Sequence, residues 1–186
     1  SKRARGAWVD TMRQSDVVHM RVWPPSLGRV LRLAQSLVEE AERRGYRVGV
    51  VRGHRCDGGL GIYIGPDGYE LVFVEETDRV AHEPTRTELD QKQRNEWTRI
   101  PDWDHFASGR VQLRSAHDGY QSVLASDRKR WKLEDRLGRA LATIEQRAED
   151  ASARRQAEEA RRLQRHEAWE AAMVEARERL VEHHRA

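Results

Sequence analysis

The stretch YELVFVEETDRVAHEPTRTELD, residues 69–90, decides how this chain folds. Its first part, YELVFVEE, is rich in β-branched and aromatic side chains, as a half-buried or buried strand requires. Its last part obeys a different rule. Pro84 holds Glu83 in extended geometry, and Thr85 and Glu88 have capping-box spacing, so PTRTE reads as the start of a helix over about 86–97. The residues between, with the two glutamates before them, crowd acids, an arginine and a histidine together. Glu75, Glu76, Arg79 and His82 form a candidate polar cluster there. Strand alternation sends Glu75 and Glu76 to opposite faces, and Arg79 and His82 are placed to return toward them as an ion-pair brace. The same site read as chemistry is a metal-dependent nuclease using Glu75, Glu76, Asp78 and His82, with the His as base or ligand. No second His stands at helical ligand spacing, so the brace is preferred. The sequence assigns no catalytic residue, no metal and no cofactor.

Working outward, VVHMRV (17–22) has strand composition, and WPPS breaks it, with Ser26 placed to cap the next helix. In SLGRVLRLAQSLVEEAERRGY (26–46), Leu27, Val30, Leu31, Ala34, Leu37, Val38 and Ala41 keep the three-and-four spacing of one helical face, and Gly45 suits its end. YRVGVVR (46–52) is a strand and HRCDGG a loop. LGIYIG and YELVFVEE pair around PDG, where Pro fixes one dihedral and Gly accepts a positive one. IPDWDHFASG is turn-like, with Trp103 and Phe106 expected to plug the core. RVQLRS (110–115) and YQSVLAS (120–126) form a second hairpin around HDG. From about Asp127 the pattern is helical, with Leu133, Leu137, Ala140, Leu141 and Ile144 on one face.

These elements predict an α+β fold: a mainly antiparallel sheet, the 26–45 and 131–146 helices packed on one face, and a long charged C-terminal helix. The expected organisation is a basic N-terminal tail over 1–16, an α+β domain over 17–146 and a charged helical extension over 147–186. From 151 onward the chain is mostly Ala, Glu and Arg, and Leu163, Trp169, Met173, Val174, Leu180 and Val181 are too sparse for a regular heptad seam. A solvated, charge-laced helix is expected there. Coiled-coil pairing with a second copy is its functional alternative.

Composition agrees with that division. Of 186 residues, 38% are hydrophobic and 35% charged, against roughly 45–50% and about 25% in an average globular domain; the charged extension accounts for much of the difference. The net charge is +3, and all but four of the 34 basic residues are Arg. That balance permits contact with nucleic acid through a local basic face without requiring it. One Cys, Cys56, rules out an intrachain disulfide and a cysteine zinc cluster. No apolar run approaches the roughly 20 residues of a membrane span, and no signal peptide is visible, so no membrane partner and a cytoplasmic setting are expected. A first residue of Ser is consistent with a piece of a longer protein.

Smaller motifs weigh little. Asp90 and Lys92 have the D-x-K order of some nucleases but fall on a predicted helix, where those sites use strands. Cys56 beside His54 and Asp57 could serve as a nucleophile, yet a loop cysteine with no other support is more often incidental. The glycines of GLGIYIGPDG lack phosphate-loop order. RKRWK is the densest basic cluster, and Arg128, Lys129, Arg130 and Lys132 oppose the macrodipole at an expected helix start. They are the candidate nucleic-acid-binding residues.

With these residues identified, the chain resembles a group of uncharacterised bacterial proteins of plasmids, phages and other mobile elements. The resemblance rests on GRVLRLAQSLVEEAERRGYRV, the R-x-x-H-x-P-T-x-x-E run from Arg79 to Glu88, GRVQLR, and WKLEDRLG leading into a charged helix, and covers about residues 17–165. Longer members resemble proteins with a helix-turn-helix-like segment upstream, which implies DNA association. The resemblance supplies no catalytic residues. The resulting expectation is a non-enzymatic binding module acting on or beside DNA, with the metal-dependent nuclease and an oligomerising structural protein as alternatives.

Overall fold

Strand β5, Asp67–Ala81, is the spine of the sheet in a computed structural model that describes residues 8–53, 56–117 and 120–185. Along one edge it pairs antiparallel with β6, Trp103–His117, over nearly its whole length. Its other edge is shared. Residues 67–70 pair antiparallel with β4, Cys56–Ile64, and residues 72–74 pair parallel with β2, His19–Val22. β3, Arg47–Gly53, extends the sheet beyond β4, β1, Val9–Asp10, lies outside β2, and β7, Tyr120–Ser126, lies outside β6. The fold is α+β with a mainly antiparallel sheet, as expected; among the described residues the sheet has seven strands, one more than the sequence suggested.

Helix α1, Pro24–Arg43, begins two residues before the expected cap, because Pro24 and Pro25 occupy first-turn positions that need no N–H. Trp23 is the cap residue and supplies no side-chain bond. The buried stripe is Val30, Leu33, Ala34, Leu37 and Ala41. At the far end Gly45 takes φ 82°, Gly45 N–H donates to Glu42 O and Tyr46 N–H to Ala41 O, the two bonds of a Schellman stop. α1 packs over the sheet face that carries Met20, Val22, Leu71, Phe73, Val111 and Leu113, all buried. Leu133, Ala140, Leu141 and Ile144 complete this core. The opposite face carries Arg21, Val74, Gln112 and Arg114 and stays partly open.

Several boundaries differ from expectation for identifiable reasons. The expected tail over 1–16 contains β1, held by the Thr11 hydroxyl, which donates to Val18 O at 2.7 Å and accepts from Met20 N–H at 3.0 Å. The β4–β5 turn is Gly65–Pro66, with Gly65 at φ 59°, so Asp67 and Gly68 of the expected PDG turn are already strand. Gly61 permits close packing there: a Cβ would collide with the Tyr69 carbonyl oxygen and Val51. The turn-like IPDWDHFASG is largely strand, since residues 103–107 pair with 77–81. Trp103 lies there half exposed instead of plugging the core. Parts of two expected loops, His54 with Arg55 and residues 118–119, and the basic cluster over 1–7, lie outside the described residues.

Helix α2, Arg86–Arg94, has the expected capping box: Thr85 Oγ1 accepts from Glu88 N–H and Glu88 reaches back to Thr85 N–H. The chain does not become helical at Asp127. A tight turn and a 3-10 turn at Glu134–Arg136 precede helix α3, Leu137–Arg185. The expected 131–146 helix and charged extension are therefore one element of 49 residues. The chain divides into compact units over 1–144 and 145–186, two residues from the expected boundary at 146. In the second unit Leu163, Trp169, Met173, Val174 and Leu180 are all more than half exposed. Among the described residues no helix is long and apolar enough to cross a membrane.

Candidate nucleic-acid interface

The RKRWK segment is built on a buried acid. Asp127 is 1% exposed. Its Oδ2 accepts from Val111 N–H and its Oδ1 from Leu133 N–H, both at 2.8 Å. Arg29 of α1 grips both oxygens, at 2.6 and 2.8 Å, and also holds Glu134. Burial pushes the Asp127 carboxyl upward, but Arg29 and the two backbone donors outweigh it and hold the group down at about 2. Arg29 likewise lowers Glu134. Between these anchors Arg128 and Trp131 exchange backbone hydrogen bonds, so the chain makes a tight turn with Lys129 and Arg130 at its tip. All five side chains from Arg128 to Lys132 are exposed.

A groove of about 420 Å³ opens beside this turn, between β7 and the first turns of α3. Arg128, Arg136 and Arg139 line it and no carboxylate does. Trp131 forms one wall, fixed by its indole N–H donating to Ser126 O at 3.2 Å and covered on one side by Arg136, 4.6 Å from the ring centroid. The Arg139 guanidinium has no partner among the described residues.

A second concavity of about 500 Å³ lies on the open sheet face, lined by Trp8, Arg21, His105, Gln112 and Arg114 among others. Glu76 joins the two. It accepts from Arg110 Nε at 2.9 Å, from Gln112, and from Arg128 at 2.9 Å. Burial raises its carboxyl, and these donors more than reverse that, to about 2. Arg110 is shared with Asp78 at 2.6 Å. Two acids and two arginines thus neutralise one another, while among the described residues the Arg114 guanidinium donates only to the neutral Gln112 oxygen. The cationic surplus of this face therefore comes from Arg114, Arg136, Arg139 and the turn.

The candidate cluster of Glu75, Glu76, Arg79 and His82 does not assemble. Residues 77–81 continue β5, so Arg79 and His82 are carried away from the carboxylates instead of folding back. Glu75 points into the helix face and is 4% exposed; its carboxylate accepts from Trp23 N–H and Gly109 N–H, both at 2.8 Å. It thereby supplies, from another strand, a partner for the uncapped start of α1. Arg79 lies 5.5 Å from the Trp103 ring centroid. His82 is enclosed between Glu88, 3.1 Å from Nε2, and Asp104, 3.0 Å from Nδ1 but out of line for a hydrogen bond. Asp104 and then Glu88 raise its pKa against the opposing effect of burial. Among the described residues no group of three His, Cys, Asp or Glu is placed to hold a metal ion. Asp90 and Lys92 lie on α2, and the Cys56 and Asp57 side chains and His54 lie outside the described residues.

The basic cluster was legible in the sequence, but as a helix start, whereas it forms a turn and the helix begins only at Leu137; Arg114, Arg136 and Arg139 were missed. The signals were present: Arg114 alternates with the core residues Val111 and Leu113, and Arg136, Arg139 and Thr143 stand at helical spacing. No family model, no curated protein and no solved structure matches the chain.

Proposed function

We propose that this chain is a non-enzymatic module that binds nucleic acid through the 127–132 turn and the arginine-lined face beside it. The carrying observation is the charge balance of that face. Glu76 and Asp78 are consumed by Arg110 and Arg128, Glu134 is held by Arg29 and Asp135 accepts from Lys132 N–H, and the side chains of Lys129, Arg130, Lys132 and Arg139 remain for phosphate oxygens. Arginine suits this use because its planar fork meets phosphate in pairs of hydrogen bonds.

Anisotropy of a labelled DNA duplex across a salt series tests the reading. The logarithm of affinity should fall linearly with the logarithm of salt. Replacing Lys129, Arg130 and Lys132 together by Ala should make the slope shallower by roughly 2 to 3, at about 0.9 per phosphate contact on duplex DNA. Binding that is salt-independent, or absent from both this duplex and a single strand of the same length, refutes the proposal.

Assembly through the 145–186 helix is a second reading. It is supported by the exposure of Leu163, Trp169, Met173, Val174 and Leu180, and by Met173 and Leu180 standing one heptad apart. Sedimentation equilibrium of the full chain should show a self-associated species, and Met173→Glu with Leu180→Glu should return it to monomer. A wild-type chain that sediments as a monomer removes this reading.

A further inference from the structure

We infer that the groove beside Trp131 is a seat for an unpaired base, so that the nucleic acid taken by this face is single-stranded. The inference rests on the binding function proposed above and specifies its ligand.

Phosphate attraction alone needs only a convex basic surface. This site has more. The groove is concave, has room for a nucleotide-sized group, and sets an oriented aromatic ring among cations. Trp131 is 37% exposed and its indole N–H is held by Ser126 O, so ring orientation is fixed before any ligand arrives. The Arg136 guanidinium already lies against the ring, which extends the stacking platform to a second planar group. Arg139 also lines the groove, with no partner for its guanidinium among the described residues, and is placed to meet a phosphate flanking a stacked base, while Arg128 on the same wall is held by Glu76. The floor is apolar where Val123 lies, half exposed on β7.

A duplex cannot use this arrangement. Its bases are stacked on one another, and it offers a protein grooves and phosphates, whereas a single strand presents faces to aromatic side chains. A ring, an apolar floor and cations in one groove are the combination that recognises an unstacked nucleotide.

The test uses the full chain and three labelled probes of one length: an oligo(dT) strand, the corresponding dT·dA duplex, and an abasic strand with the same phosphates. Wild type should bind the dT strand more tightly than either of the others. Trp131→Ala should weaken dT binding by roughly tenfold or more, the size of one lost base–aromatic stack, with an unchanged salt slope. Arg139→Ala should make that slope shallower by about 0.7, the single-strand contribution of one phosphate. Trp131→Phe keeps a ring and should retain most of the dT preference, which guards against misreading a folding defect in the Ala variant. If the abasic strand binds as well as dT, or a folded Trp131→Ala chain keeps wild-type affinity, the base seat is overturned while binding to nucleic acid stands. If none of the probes binds, both proposals fall.

Discussion

Asp127→Ala should be among the most destabilising single substitutions in the first unit. The Asp127 side chain is 2% exposed and serves three partners: the Arg29 fork, Val111 N–H and Leu133 N–H. Alanine leaves two buried amides without an acceptor, at about 1–3 kcal/mol each. Arg29 is only partly stranded, because it is 24% exposed and keeps Glu134, so the cost of an unpaired buried charge applies in part. Together these point to a loss of roughly 3–5 kcal/mol, the range measured when one partner of a buried ion pair is removed. Urea denaturation should show a lower midpoint at unchanged slope. The pH dependence supplies an independent check. The folded carboxyl is held at about 2 against 3.8 when unperturbed, so its ionisation contributes stability that is present above the unfolded value and is lost as pH falls through the folded one. The difference corresponds to roughly 2.5 kcal/mol. The gap between wild type and Asp127→Asn should therefore be wide at about pH 6 and shrink steadily toward about pH 2. A loss under about 1 kcal/mol in the Ala variant, or a gap that ignores pH, would refute the reasoning.

Glu75→Gln places an amide N–H₂ against one of two backbone donors, so a loss of about 1–3 kcal/mol is expected, and an unchanged melting temperature would sink the bracing role. His82 is raised by Asp104 and Glu88, so the stability it contributes is fully present below pH 6.5 and is lost as pH rises through its folded value. Amide exchange in α2 should quicken over that rise in wild type and be pH-insensitive, beyond the intrinsic rate, in His82→Gln; identical profiles would exclude the coupling. Gly61→Ala drives a methyl into the Tyr69 carbonyl, which cannot rotate away as a side chain would. A loss of at least about 1–3 kcal/mol in urea is expected, and wild-type stability in that variant would contradict the register.

What the sequence disclosed depended on whether its signal was local. The α1 stripe and the Thr85–Glu88 box are encoded within a few residues, and both were legible. The outer half of β5 was not. Thr77, Asp78, Arg79 and Val80 are all exposed, so the β5–β6 ribbon has no buried face there and no hydrophobic alternation to betray it. Its partner lies more than twenty residues downstream, beyond a helix. The same distance hid the roles of the acids. Glu75 and Glu76 were correctly sent to opposite faces, but their partners Trp23, Gly109, Arg110 and Arg128 are spread across the chain. At the candidate interface, RKRWK was visible as a charge run, while its tight-turn shape was not. That shape is imposed by Asp127 through Arg29, almost a hundred residues away in sequence.

The shared edge of β5 also bears on the order in which the chain closes. β4 joins β5 through a two-residue turn, and β6 joins β7 by an equally local hairpin, so both contacts cost little loop entropy and form early. The parallel β2–β5 contact spans about fifty residues and only three register pairs. Strands β1 and β2 should therefore be last to dock and first to detach when the sheet opens locally. Trp8 and Arg21 travel with them, so the wall of the second concavity is hung on the least cooperative part of the sheet, and its opening is set by a smaller free energy than global unfolding.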